Sequence, residues 1–538
     1  MAEAAVPLLQ WLPKPIHLKS PEWRFGAEQE QAFLERMPAV SHVAVYDGFM
    51  LRQGDTDRRF KSTTPDTFLN LSRLTILLSL RSLDLSAVIK FTQGDVENLA
   101  TLTALTRLCV ERPYLQVQQF GNPSVNLLPL TALVNLKSLS LNDRHIYPTN
   151  FAQLASCLTG LTSLSAKNIV ETNAAMQAVA RMETLQQLDL SLSPGGFGRT
   201  IDSVEHRYRL DTSPLSALVG LQSLSVANRG VTQAASTALA GSLGQLTHLN
   251  ATNSISNNHA ALCKLAEMEA LQHLELATYT FRTADLEKLA SLSGLKKLTI
   301  GNSVLSNTNQ PSNPAYRMDG LRSLVFAYPP RPAQFQPIPT CEGFADWFNR
   351  CSNLECLGLY RLPEITQEIL KSVSSMGELQ ELIVESSLVN KGAQFPEPLT
   401  GLKKLHTLSL AKSYFEPLFL KSVAGISTLR TLNLSGCRSG GERLHNLEPL
   451  KELLPKLHSL NVMGCAVDVD QLSNARELEW LEMTATLADQ HVETLLAHSP
   501  GLRGLGLCEF SFISSTGKGL LRHRGVRLSH SPLYSFGQ

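Results

Sequence analysis

Leu246-Thr-His-Leu249-Asn-Ala251, Leu271-Gln-His-Leu274-Glu-Leu276 and Leu295-Lys-Lys-Leu298-Thr-Ile300 write one pattern three times, 24 to 25 residues apart. The last four residues of each hexamer alternate apolar and polar, and at period two this puts the leucines on one face of a strand and the intervening residues on the other. After a polar turn the period changes. Leu262, Leu265 and Ala266, then Leu286, Leu289 and Ala290, recur at helical spacing and predict helices over 257–268 and 283–292. Thr283 stands where an N-cap oxygen would satisfy free amides, and Asp285 stands in the first turn, where the helix dipole favours a carboxylate. The repeated unit is strand, turn, helix.

One such unit cannot bury its own apolar edge, so neighbours must stack to make a continuous core. The chain resembles the leucine-rich-repeat family, whose pattern L-x-x-L-x-L-x-x-N/C-x-L these hexamers match over its first six positions. The resemblance implies an α/β fold: a leucine-rich-repeat solenoid, or horseshoe, with a parallel concave β-sheet and helices on the convex side.

Outward from the central stretch, a degenerate start at Val40 is followed by starts at Leu80, Leu105, Leu136, Leu161, Leu185, Leu221, Leu246, Leu271, Leu295, Leu321, Leu354, Leu379, Leu405, Leu429, Leu457, Leu478 and Leu502, 18 in all. The expected organisation is an N-terminal cap over 1–39, a repeat array over 40–515 without an internal boundary, and a C-terminal cap over 516–538. Insertions are expected at 46–64, 191–214 and 327–351, and a further long polar stretch covers 111–130. The N-terminal segment contains Trp11, Trp23 and a helical pattern over 27–37; another helix is expected near 65–74. Cys437 and Cys465 occupy the N/C position, as in the cysteine-containing, ribonuclease-inhibitor-like intracellular subclass, whereas Asn168, Asn228, Asn253 and Asn302 arrive one residue early.

The chain has 538 residues, a formal charge of +1 and a pI near 7.6, so net charge favours neither nucleic acid nor an acidic membrane as main partner. Nine cysteines, an odd number scattered through the chain, do not suggest a disulfide framework. Pro7, Gln10 and Pro13 interrupt the first apolar run, which fits no secretory signal, and no run reaches the length of a membrane span. A soluble, intracellular and most simply cytoplasmic protein is expected.

Several stretches invite chemistry and lack its requirements. The glycines of 195–200 have no lysine at phosphate-loop spacing, and Cys341, Cys351 and Cys356 lack the C-x-x-C pairing of zinc sites. The prolines of 329–339 fit a polyproline ligand or a stiff insertion, and Arg522, His523, Arg524 and Arg527 at the basic C-terminal end fit a solvated cap or a phosphate contact. Serine, histidine and aspartate recur along strands and do not converge on a nucleophile, base and orienter. No catalysis, cofactor, metal or small-molecule substrate is expected.

The outward strand positions carry the functional expectation. His248, Asn250, His273, Glu275 and Lys297, then Tyr360, Glu381, Glu385, Met463, Trp480 and Glu482, rise from a background of small residues such as Ser138, Ser140, Ser223, Ser225, Thr407 and Ser409. His248 and His273 fall on adjacent strands, as a metal pair or a plain polar ladder would require. The expected function is a non-catalytic scaffold or adaptor that binds a protein partner along the concave face, as a subunit of a larger assembly. A ubiquitin-ligase recognition subunit, a bacterial effector of similar design and a ribonucleoprotein component stay open as alternatives, the last making nucleic acid a less favoured partner.

Overall fold

A computed structural model describes residues 16–19, 42–46, 80–86, 92–111, 125–144, 146–170, 172–192, 210–255, 258–277, 280–301, 304–305, 317–328, 344–389, 399, 401–484, 487–508 and 513–531. The helical patterns over 27–37 and 65–74, the glycines of 195–200, the prolines of 329–339, Asn302 and Cys341 lie outside them, as do most of the expected insertions. The chain divides into two compact units, Met1–Leu274 and Glu275–Gln538.

In the first unit nine strands form one parallel ladder: β1 (Ile16–Lys19), β2 (His42–Tyr46), β3 (Ser82–Asp84), β4 (Arg107–Cys109), β5 (Ser138–Ser140), β6 (Ser163–Ser165), β7 (Gln187–Asp189), β8 (Ser223–Ser225) and β9 (His248–Thr252). Strand β10 (His273–Ala277) contains the division between the units. In the second unit ten strands pair in parallel: β11 (Lys297–Gly301), β12 (Ser323–Ala327), β13 (Cys356–Tyr360), β14 (Glu381–Glu385), β15 (Thr407–Ser409), β16 (Thr431–Asn433), β17 (Ser459–Val462), β18 (Trp480–Met483), β19 (Gly504–Cys508) and β20 (Arg527–Ser531). Every start read from the sequence leads into one of these strands. Both segments read as caps also contribute to a ladder, because β1 pairs with β2 and β20 with β19.

Register keeps equivalent positions of neighbouring repeats side by side, so the leucines form rows on the inner face. Leu246, Leu271, Leu274 and Leu298 are fully buried, and Leu249 and Leu295 nearly so. Burying a leucine contributes roughly 1.5 to 3 kcal/mol, and the rows repeat that gain with each strand added. The returning segments cover the other side of this core, where Leu262, Leu265, Leu286 and Leu289 are also buried.

Helices return the chain in many repeats, and six of them start on a Ser, Thr or Asn cap. Thr92, Thr172, Thr232, Asn258, Thr366 and Ser514 each accept a hydrogen bond from the amide three residues on. Two expected helices are shorter than the periodicity suggests, His259–Leu265 and Thr283–Ala290. Thr283 is the first helical residue and not the cap, since the cap position falls on Arg282. Asp285 does the capping by accepting the Arg282 amide at 2.8 Å. Elsewhere the return is a 3-10 turn, as at Leu128–Ala132, Ser213–Ala217, Glu448–Leu450 and Leu454–Lys456. Each of these has proline near its start, where the missing amide costs nothing and the fixed φ suits a tight turn.

The early asparagines have a backbone reason. Asp143, Asn168, Asn228, Asn253, Arg361, Ser386, Lys412, Gly436 and Gly464 occupy the eighth position of their repeats, and all have φ between 54° and 77°. That left-handed conformation tolerates Asn and Asp and suits Gly. Their side chains also reach sideways: Asn253 donates to Asn228 Oδ1 at 2.8 Å, Asn168 donates to Asp143, and Arg361 Nε donates to the Tyr328 carbonyl at 2.8 Å.

The inner ladder runs one residue later and needs no asparagine. Ser254, Ser413, Cys437 and Cys465 each donate to a carbonyl of the preceding repeat, those of Val226, Val384, Leu410 and Leu434, at 2.7 to 3.0 Å. Buried Arg144 and Arg229 do the same to Val110 and Leu190. Any donor that reaches the carbonyl satisfies a group that would be costly to bury alone.

Candidate interaction face

The outward residues of each ladder form rows running across the strands. In the second unit the first row reads Lys297, Ser323, Cys356, Glu381, Thr407, Thr431, Ser459, Trp480, Gly504, Arg527. The second reads Thr299, Val325, Gly358, Ile383, Ser409, Asn433, Asn461, Glu482, Gly506, Ser529, and the third brings Ala327, Tyr360 and Glu385 together.

Tyr360, Glu381 and Glu385 therefore share one patch on β13 and β14, all half-buried. The tyrosine ring leans back over Gly358. A methyl group there would stand 3.1 Å from Tyr360 Cε2 and 3.3 Å from Val325 Cγ2, so it would press on both side chains and shift them by a few tenths of an ångström. Val325 and Ile383, outward and half-buried, supply apolar surface on either side. The Ser409 hydroxyl donates to Glu385 Oε1 at 2.7 Å, and the Cys356 thiol lies 3.5 Å from Glu381 Oε2. Burial raises the Tyr360 phenol above its ordinary range, and the charges of Glu385 and Glu381 add to the shift. Burial also raises the Cys356 thiol, with Glu381 adding to it, while Lys297 opposes the shift.

Trp480 lies sideways. Its indole crosses Gly504 on the next strand, where any added methyl would collide with the ring, and its Nε1 donates to Glu482 Oε1 at 3.3 Å. The side chain stays 37% exposed, so one surface of the indole rests on the sheet and the other is open. Glu482 also accepts from Asn461 Nδ2 at 2.6 Å. Met463 is in the turn after β17 and half-buried, with its amide donating to Asn461 Oδ1 at 2.9 Å, so it belongs to the border of the face.

In the first unit His248 and His273 meet edge to face, with ring centroids 4.0 Å apart. The Thr247 hydroxyl lies 2.7 Å from His248 Nδ1. Asn250 is half-buried and accepts the Thr252 amide at 3.1 Å. Glu275, on the part of β10 that follows the division, and Lys297 on β11 are both half-buried and fall in the second unit. Among the described residues no group of three or more His, Cys, Asp or Glu side chains is arranged to hold a metal.

The outward polar residues of the first unit include a network not anticipated from the sequence. Asn142 donates to Glu111 at 2.8 Å, Ser140 donates to the same carboxylate, and Ser165 donates to Asn142 at 2.8 Å. Lys167 pairs with Asp189 at 3.2 Å, and Asp189 accepts from Ser191 at 2.6 Å. These groups satisfy one another sideways. The sequence signal was present in the seventh position of successive repeats, two residues beyond the strand positions that attract attention first.

Parallel ladders with one strand per repeat, rows of buried leucine inside and helices or tight turns on the return define a leucine-rich-repeat solenoid fold. No family model matches the chain, and no curated protein matches it. Among solved structures it is similar to an internalin (InlF) from Listeria monocytogenes, at 17% identity and a TM-score of 0.39, over 77% of this chain and 94% of that one. It is also similar to TLR13 in its complex with ssRNA13, at 15% identity and a TM-score of 0.44, over 89% of this chain and 72% of that one. Among the described residues no helix is long and apolar enough to cross a membrane.

Proposed function

We propose that this protein is a non-catalytic interaction scaffold that engages a protein partner through the open strand face, as a subunit of a larger intracellular, cytoplasmic assembly. The supporting observation is the patch on β13 and β14, where Tyr360, Glu381 and Glu385 surround outward Ile383 and the flanking outward positions include small Gly358, Thr407 and Ser409. Aromatic residues dominate interface energetics, and an apolar surface ringed by charge is the composition of a binding centre. Donation by Cys437 and Cys465 within the inner ladder supports the cysteine-containing subclass.

The test is capture of the native partner from extract by the wild-type chain and by a variant carrying Tyr360→Ser, Glu381→Ser, Glu385→Ser and Trp480→Ser, each with its melting curve. Loss of the partner with an unchanged melt supports the reading. Full retention moves the interface off this face.

A further inference from the structure

We propose that the patch of Tyr360, Glu381, Ile383 and Glu385 binds a basic segment of a partner protein, extended along β14, with two cationic side chains four residues apart and an apolar one midway. This deepens the function proposed above and rests on the open strand face being the interaction surface.

The first argument is charge. Among the described residues Glu381 and Glu385 have no cationic partner; their contacts are the Cys356 thiol at 3.5 Å and the Ser409 hydroxyl at 2.7 Å. Three nearby cations are engaged elsewhere, and a fourth is distant. Arg322 pairs with Glu355 at 3.5 Å, Lys404 with Glu378 at 2.7 Å, and Arg361 donates Nε to the Tyr328 carbonyl at 2.8 Å. Lys297 shares the row of Glu381 but is three strand steps away, about 14 Å at about 4.8 Å per step. The acidic groups of the first unit differ, since Asp189 is paired with Lys167 at 3.2 Å. A polyanion such as nucleic acid would meet two uncompensated carboxylates here.

The second argument is spacing. Glu381, Ile383 and Glu385 alternate along one strand, which separates the carboxylates by about 13 Å at about 3.3 Å per residue. An extended chain has the same repeat and turns every second side chain to one side. Its cations at the first and fifth positions then meet Glu381 and Glu385, and its third side chain meets Ile383. Beside Glu385 the Tyr360 ring offers a π surface to a guanidinium, and Val325 continues the apolar floor.

A fluorescein-labelled peptide Gly-Arg-Thr-Leu-Thr-Arg-Gly, titrated with the full chain at low salt, tests the proposal. Binding is expected, and it should weaken about tenfold or more in the double variant Glu381→Gln, Glu385→Gln and again on raising the salt. A peptide with arginines three apart, Gly-Arg-Leu-Thr-Arg-Gly, should bind more weakly, because its second cation faces away. Equal affinity for the glutamine variant, equal affinity for the shorter spacing, or no binding above that of a charge-reversed Gly-Glu-Thr-Leu-Thr-Glu-Gly peptide would each overturn it. Glutamine conserves shape, so a matching melt separates lost recognition from lost fold. Native capture that depends on the face, combined with absent peptide binding, removes the basic segment and leaves the scaffold reading standing.

Discussion

At the residue scale the turn after nine of the strands passes through one left-handed residue at the eighth position of the repeat. Ser386 holds φ 54° while exposed, a conformation that costs a side-chain-bearing residue about 1 to 2 kcal/mol. Ser386→Gly should leave stability unchanged or raise it by up to about 1 kcal/mol, and Ser386→Val should lower it by about 1 to 2 kcal/mol, both read by urea unfolding. The asparagines of this position were visible in the sequence, but the family pattern placed its ladder one residue later. Arginine and serine in that next position hid the ladder, which only Cys437 and Cys465 marked, because the requirement is for a donor that reaches a carbonyl. Thiols in the core give a second prediction. Burial, with Asp319 adding to it, pushes Cys351 from the ordinary 9.0 up to about 12, and burial pushes Cys465 up to about 11. A raised folded pKa means that the native state holds its proton longer, so the stabilisation is complete below about pH 9 and is lost as pH rises towards 11 to 12. Unfolding midpoints should therefore fall from pH 9 upward, and Cys351→Ala should make that fall shallower; an unchanged slope would show that this thiol ionises without opening the core.

At the scale of the element, strand positions were almost wholly legible, because a period of two with leucine on one side admits one register. Leu274, fully buried, tests it: Leu274→Ala should cost about 2 to 5 kcal/mol in chemical unfolding. A change within 0.5 kcal/mol, typical of surface sites, would mean the register is shifted by one and the side chain faces outward. The return segments were less legible. Helical periodicity marked 257–268 and 283–292 too generously, and proline turned several returns into 3-10 turns. Side-chain direction on the open face was not readable from alternation at all. Trp480 points outward by position yet lies across Gly504, and that depends on a glycine one repeat away. Gly504→Val should lift the indole from the sheet, and the emission component removed by Trp480→Phe should then become more accessible to acrylamide. Unchanged quenching would place the ring elsewhere.

At the scale of the molecule, each unit carries its own ladder, and the insertions interrupt connections without interrupting pairing. β7 and β8 stay in register, with Leu188 beside Leu224, on either side of the stretch 191–214; β12 and β13 do the same, with Leu324 beside Leu357, around 327–351. Brief proteolysis should cut within these stretches and leave the flanking fragments co-eluting on gel filtration, whereas separate elution of folded fragments would argue against one array. The candidate face was legible as a list of outward residues, and its contrast was not. Only side-chain geometry separates acidic groups satisfied by neighbours, such as Asp189, from those of Glu381 and Glu385, which lack a cationic partner among the described residues. The central claim, that the open strand face is where a partner sits, is tested most directly by site-specific photo-crosslinking in native extract. A benzophenone side chain at Thr431, on the open face of β16, should capture the partner, and the same group at Glu368, exposed on the helix Gln367–Ser374, should not. Capture from Glu368 with none from Thr431 would contradict the account.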